Sequence, residues 1–281
     1  MLVDVCRSPS AATPTSRLSF GLINICSLNN KVDDLLRVRR ERGVDVLCLV
    51  ETWHNADSVC LRRLWLDGYR VVDRPRPRLP SESSTLSTNH GGVAIVSVSG
   101  VRLSLIALGV DPALFEFLCV RVVSGSFTSI VVIIYRPCAV TSVFFDDPSE
   151  VLDRAAGYHD PVYIDGDNRL DRANDANSRQ LTDLLEAHGF SVRETETTQA
   201  RGGILDVVAT RRDLTPPHLT VFDVGLSDHH LLQWSVPTIR PPPPVVSCRP
   251  VVHRRWRLLD VDTLYTNSSV DITALSARQL D

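Results

Sequence analysis

Regular patterning starts at Leu18. Residues 18–25 place apolar side chains as a strand would, and residues 32–42 carry Leu35, Leu36 and Val38 at helical spacing. Residues 44–50, with the apolar run 46–50, have the composition of a strand covered on both faces, which stops at Glu51. A short helix is predicted at 57–66 and a strand at 69–73, and the Pro-, Ser- and Thr-rich stretch 74–90 predicts a long loop. Four β runs follow at 92–98, 101–108, 114–123 and 127–135. They are separated by Ser99-Gly100 and Ser124-Gly125 and read as successive antiparallel strands. A weaker helix at 144–156 leads into a strand at 162–165, and 176–188 predicts a helix closed by Gly189. Three further strands are expected at 204–210, 219–224 and 230–236.

This order divides the chain into a loose Ser/Thr/Pro/Ala-rich arm at 1–16, one globular domain at 17–238, and a tail at 239–281 that opens on the proline run 241–244. Mixed strands with a few helices predict an α/β (α+β) domain in which two mostly antiparallel sheets pack face to face between helices. Hydrophobic residues make up 43% and charged residues 22% of the 281, the balance of a globular protein, which excludes wholesale disorder. A net charge of −3 gives no footprint of strong sequence-independent nucleic-acid binding, so any DNA contact has to be a local patch. Arginine supplies almost all the cationic groups, with Lys31 nearly alone. The seven cysteines lack CxxC spacing and several sit in apolar runs, as reduced thiols inside a cell do. Neither a signal peptide nor a membrane span of about 18 apolar residues is present, so the expectation is an intracellular, soluble protein with no membrane partner.

Polar residues recur where apolar runs end, which is where a sheet scaffold presents groups to a shared cleft. Glu51 could be a hard oxygen ligand for Mg²⁺ or a solvent-facing strand cap. Tyr135-Arg136 closes the strongest β run, as a phosphate clamp or as a core-edge tyrosine. The segment Asp165-Gly166-Asp167-Asn168 offers acids and an amide for proton transfer and oxyanion stabilisation, and is equally good turn chemistry. Asp206 stands among β-branched residues, where an unpaired charge costs several kcal/mol, on the order of 3–5. It needs a partner, and His229 in Ser227-Asp228-His229-His230 can supply one.

In order, Asn24, Glu51-Thr52-Trp53, Gly91-Gly92-Val93-Ala94-Ile95, Tyr135-Arg136-Pro137, Gly166-Asp167-Asn168, Leu205-Asp206-Val207-Val208 and Ser227-Asp228-His229 resemble the endonuclease/exonuclease/phosphatase superfamily. Within it, Asn24 to Leu28 followed by Lys31, with the Glu-Thr-Trp triplet, resembles the apurinic/apyrimidinic-type endonuclease domains of retrotransposons lacking long terminal repeats. The likeness spans about residues 18–236. It implies a deoxyribonuclease-I-like four-layered sandwich that nicks DNA with Mg²⁺ or Mn²⁺ in the nucleus, with no obligate protein partner. The tail 239–281, with Arg254-Arg255-Trp256, would then lead toward a missing reverse transcriptase.

On these positions the resemblance implies that Glu51 holds the metal with Asn24 and Asp228. Asp167 activates water, Asn168 and Tyr135 hold the phosphate, and His229 paired with Asp206 stabilises the transition state. Two departures stand out. Asn168 follows Asp167 directly, where the family has Gly-Asp-x-Asn, and an alignment through Arg169-Leu170-Asp171 puts Asp165 in the acid position instead. Gln199 stands where relatives commonly carry histidine, at what reads as a peripheral position.

Overall fold

The structure, a computed structural model, describes residues 17–76, 90–112, 114–136, 145–167, 176–193 and 196–238. The chain divides into two units, Met1–Arg240 and Pro241–Asp281, and the second lies wholly outside the described residues. So do the arm 1–16, the proline run, Asn168 to Asp171, and Cys6, Cys138 and Cys248.

Twelve strands form two six-stranded sheets among the described residues. The first sheet contains β1 (Arg17–Asn24), β2 (Val46–Val50), β3 (Arg70–Arg74), β4 (Val93–Ser97), β11 (Leu219–Phe222) and β12 (Leu231–Pro237), in the order β11-β12-β1-β2-β4-β3. The second contains β5 (Arg102–Leu105), β6 (Glu116–Ser124), β7 (Phe127–Tyr135), β8 (Val162–Asp167), β9 (Phe190–Val192) and β10 (Asp206–Arg211), in the order β5-β6-β7-β8-β10-β9. The parallel pairs β1/β2 and β7/β8 sit near the middle, and the other neighbours run antiparallel.

Side-chain alternation builds the layers. Leu18, Phe20 and Leu22 of β1 meet Val46, Cys48 and Val50 of β2 and Val131, Ile133 and Tyr135 of β7 in a core between the sheets. The alternate residues face outward. Leu47 and Leu49 pack with Leu35 and Leu36 of α1 (Val32–Arg42) and Leu61 and Leu64 of α2 (Val59–Leu66). Ile130, Val132 and Ile134 meet Val151 and Leu152 of α3 (Asp146–Ala156) and Leu181 and Leu185 of α4 (Ala176–Ala187). Both faces of each central strand are therefore covered, which is why β2 is buried at every position.

Two expectations need correction. The four β runs from 92 to 135 are not one antiparallel series, because β4 pairs with β2 and β3 whereas β5 opens the other sheet. Ser99-Gly100 thus marks a crossing between sheets rather than a hairpin inside one. The short strand β9 is additional to the predicted set; it adds three residues to the edge of the second sheet beside β10, too few to show a period of their own.

Candidate active site

One end of the sandwich collects the polar strand ends. There β1, β2, β7 and β8 finish, at Asn24, Val50, Tyr135 and Asp167, while β4, β6, β10 and β12 begin. After β2 the backbone turns sharply: Glu51 and Trp53 have φ of 53° and 52°, and the facing Cys26 and Ser27 have 47° and 87°. Left-handed conformations of this kind cost non-glycine residues about 1–3 kcal/mol and persist where surrounding bonds over-determine them. Those bonds are present. Ser27 N–H donates to the Glu51 carbonyl at 2.7 Å, and Thr52 and Trp53 donate to the carbonyls of Gly92 and Gly91 at 3.1 and 2.7 Å.

Glu51 is buried, and its Oε1 accepts a hydrogen bond from the Tyr135 hydroxyl at 2.9 Å, joining the two sheets. Nearby, the Asn24 Oδ1 accepts from the Cys26 backbone N–H at 3.1 Å and from its thiol at 3.3 Å, and the same thiol lies 3.7 Å from Asp228 Oδ1. Burial pushes the Cys26 thiol up to about 12, and the charges of Glu51 and Asp228 add to this against Lys31. It is therefore a neutral donor among anions.

Asp206 is fully buried at the start of β10, and its Oδ2 lies 2.7 Å from His229 Nδ1. Burial pushes its carboxyl above the usual range; His229 works against that shift, and the charge of Glu51 reinforces it. The Glu51 and His229 halves are thus close enough to act on each other electrostatically. Among the described residues Asp206 Oδ1 has no hydrogen-bond partner. The two segments are stitched together by Ala200 N–H to the Asp228 carbonyl at 2.9 Å, His230 N–H to the Thr198 carbonyl at 2.7 Å, and the Thr198 hydroxyl, which accepts from Leu205 and Asp206 N–H.

The register sets Asp167 opposite Asp206. Asp165 lies deeper. It is fully buried between the sheets, its Oδ2 accepting from the Cys48 thiol at 3.3 Å, and burial pushes it up to about 8. Cys48 precedes Glu51 by three residues, so this carboxyl sits about three strand steps, roughly 10 Å, into the core from Glu51. Gly166 between the two acids has φ 148°, and a Cβ there would overlap the Ile134 carbonyl, so only glycine lets β8 lie against β7 at this point.

Sequence reasoning missed three features. Gln199 is not peripheral: its Nε2 donates to Asp228 Oδ2 at 2.9 Å, and with the charge of His229 it outweighs burial to hold that carboxyl below its usual range. Behind Glu51, Thr52 Oγ1 lies 2.5 Å from His54 Nδ1, and His54 Nε2 lies 2.9 Å from Asp73. Gly92, at φ 91°, leaves the space those side chains fill. Arg76, within the stretch expected to be loop, binds Glu116 beside Tyr135. None of these has a periodic signal: Gln199 with Asp228, His54 with Asp73 and Arg76 with Glu116 each join residues far apart in the chain.

Among the described residues no group of three His, Cys, Asp or Glu side chains is arranged to hold a metal ion. Mg²⁺ does not require one, because it binds through one or two carboxylates and keeps waters and substrate phosphate oxygens as its other ligands. Glu51, Asp228 and the Asn24 amide oxygen supply hard donors of that kind. The mutual repulsion of Glu51 and Asp206, whose Oδ1 has no hydrogen-bond partner among the described residues, also suits a cation.

Neither a protein-family model nor a curated protein matches this sequence. Solved structures do. The human Nocturnin catalytic domain with bound sulfate anion aligns at TM-score 0.56 and 16% identity, over 78% of this chain and 93% of that one. The endonuclease domain of TRAS1, a telomere-specific non-LTR retrotransposon, aligns at TM-score 0.57 and 13% identity, over 79% and 99%. The 3′ phosphatase NExo from Neisseria, bound to a product DNA hairpin, aligns at TM-score 0.57 and 16% identity, over 77% and 98%. These neighbours are members of the endonuclease/exonuclease/phosphatase superfamily. At such identities the shared property is the fold: this chain is a deoxyribonuclease-I-like four-layered sandwich.

Proposed function

We propose that the protein is a Mg²⁺- or Mn²⁺-dependent phosphodiesterase that nicks DNA in the nucleus, as the endonuclease of a retrotransposon lacking long terminal repeats. The carrying observation is that the buried Asp206–His229 pair and the Glu51–Tyr135 pair, drawn from distant parts of the chain, meet at the same end of the two sheets. The TRAS1 domain supports the retrotransposon reading, and NExo with its DNA hairpin supports DNA as substrate. In this reading the arm 1–16 and the tail 239–281 flank the catalytic domain 17–238.

Each side chain takes the role that the resemblance implies. Asp167, opposite Asp206, takes a proton from the attacking water as the new P–O bond forms and the bond to the leaving oxygen breaks. His229, oriented by Asp206, offers its other ring nitrogen to the phosphoryl oxygen on which charge grows. Tyr135 and Asn168 hold the phosphate, and Glu51, Asn24 and Asp228 hold the ion. When bound, the ion neutralises phosphate charge and polarises its oxygen.

The test is to incubate supercoiled plasmid with the protein and Mg²⁺ or Mn²⁺, alongside phosphate-release assays on inositol phosphates and on a 3′-phosphorylated DNA hairpin. Nicked circles that disappear with a chelator are expected. Phosphate release without nicking would replace the endonuclease by a phosphatase, and no turnover in any assay would leave a binding module with this fold.

A further inference from the structure

We propose that Arg76 is a positioning residue of this site: its guanidinium, held by Glu116 in a space that Gly91 leaves open, orients the Tyr135 phenol and through it the Glu51 carboxylate. The inference rests on the phosphodiesterase reading for its kinetics, though not for its geometry.

Glu116 and Tyr135 are cross-strand partners at the site end of β6 and β7. Arg76 reaches over both. Its Nε donates to Glu116 Oε1, and its Cζ lies 5.7 Å from the centroid of the Tyr135 ring. Burial opposes its charge, but Glu116 and the phenol outweigh that and hold its pKa above the ordinary value.

The seat is built for it. A Cβ on Gly91 would overlap both the guanidinium and the Glu116 carboxylate, so any side chain there would displace the pair. Glu116 Oε2 accepts from Gly92 N–H at 2.5 Å, and the Gly91 and Gly92 carbonyls in turn receive Trp53 and Thr52. The backbone that seats Arg76 is therefore the backbone that holds both residues following Glu51. With the side chains of Arg76 and Glu116 only 25% and 10% exposed, the pair is screened much less than a surface bridge. A cation beside the phenol ring polarises its O–H, which donates to Glu51 Oε1 at 2.9 Å with the His90 carbonyl at 3.2 Å as its second acceptor.

The experiment combines Arg76→Met, Tyr135→Phe and the double variant, with kcat and KM on a DNA substrate. A ¹³C-tyrosine spectrum without metal or substrate, in which Tyr135→Phe assigns the Tyr135 Cζ resonance, accompanies it. Arg76→Met should lower kcat roughly tenfold with KM within about twofold, and should cost less than about twofold when Tyr135 is already Phe. The Cζ resonance should move in Arg76→Met. Equal losses in both backgrounds, or a change in KM alone with an unmoved resonance, would overturn the proposal. Should Arg76→Met fail to fold, Glu116→Gln releases the guanidinium from its clamp and must reproduce the coupling and the shift. If the unaltered protein turns nothing over, the functional reading fails, and the resonance alone decides the role of Arg76.

Discussion

Asp165 and Asp206 are both completely buried, both have one oxygen without a hydrogen-bond partner among the described residues, and both have their carboxyls pushed up by burial. They differ in the company they keep. Asp165 sits in the middle of the inter-sheet core with the neutral Cys48 thiol as its only partner among the described residues, whereas Asp206 sits where the sheets end, against His229 and within the field of Glu51. A neutral neighbour cannot offset the desolvation of a carboxylate, so Asp165 keeps its proton up to about pH 8 and is a neutral core residue. An imidazole can accept that proton. The pair at the sheet end is poised to move charge, and the carboxyl in the core is poised to avoid it.

Changes at the sheet end should have the largest effect. Glu51→Ala is expected to abolish metal-dependent cleavage with the fold intact, because it removes a strand-end ligand and leaves the apolar layers in place. Asp206→Asn and His229→Ala should each lower kcat by roughly 10²–10⁴-fold, and together by little more than either alone, since both dismantle one oriented pair. Losses that multiply in the double variant would mean the two residues act separately.

The two acids of β8 give the next test. Asp167→Asn should cost about 10²–10⁴-fold in turnover, whereas Asp165→Asn should leave turnover within about threefold. The reverse ranking would support the alignment through Arg169-Leu170-Asp171.

These residues also show which features a sequence makes legible. The need of Asp206 for a partner can be read from its neighbours alone, because an acid beside Val207 and Val208 has to be neutralised, and His229 stands in a polar cluster able to do it. Alternation reveals the layers, since inward and outward residues differ by one step. It does not separate Asp165 from Asp167. Both have the same parity on β8, and their difference is depth along the strand, set by the pairing of Ile133 with Asp165. The Thr52–His54–Asp73 relay, the Gln199 contact and the left-handed backbone at Glu51 arise from tertiary closure and leave no period to read.

A smaller effect distinguishes the core aspartate through stability. With its folded pKa near 8 and an ordinary value of 3.8, Asp165 holds a proton in the folded chain that the unfolded chain has released. Its contribution is therefore greatest below about pH 4 and is lost as pH rises toward 8, at about 1.4 kcal/mol per pH unit, then levels off. Asp165→Asn removes this dependence. The Tm of the variant relative to the unaltered protein should climb between pH 5 and pH 8, as thermal melts at four or five pH values would read. A difference that stays flat would mean that Asp165 ionises in the fold.

Smallest is the effect of the thiol itself. Cys48 donates to Asp165, and a donor favours the ionised carboxyl, so the thiol holds the Asp165 pKa somewhat lower than burial alone would set it. In Cys48→Ala the carboxyl loses its one described donor and a small void opens beside it. A loss of about 1 kcal/mol in stability is expected from the void and the hydrogen bond together. The sharper signature is the pH at which the Asp165 contribution levels off, read as the Tm difference between Cys48→Ala and Cys48→Ala/Asp165→Asn. That edge should move above the pH 8 region, because the acid now needs a stronger base to ionise it. Were it to stay in place or move down, the thiol would be only a packing group, and the two buried aspartates would differ in burial depth rather than in their partners.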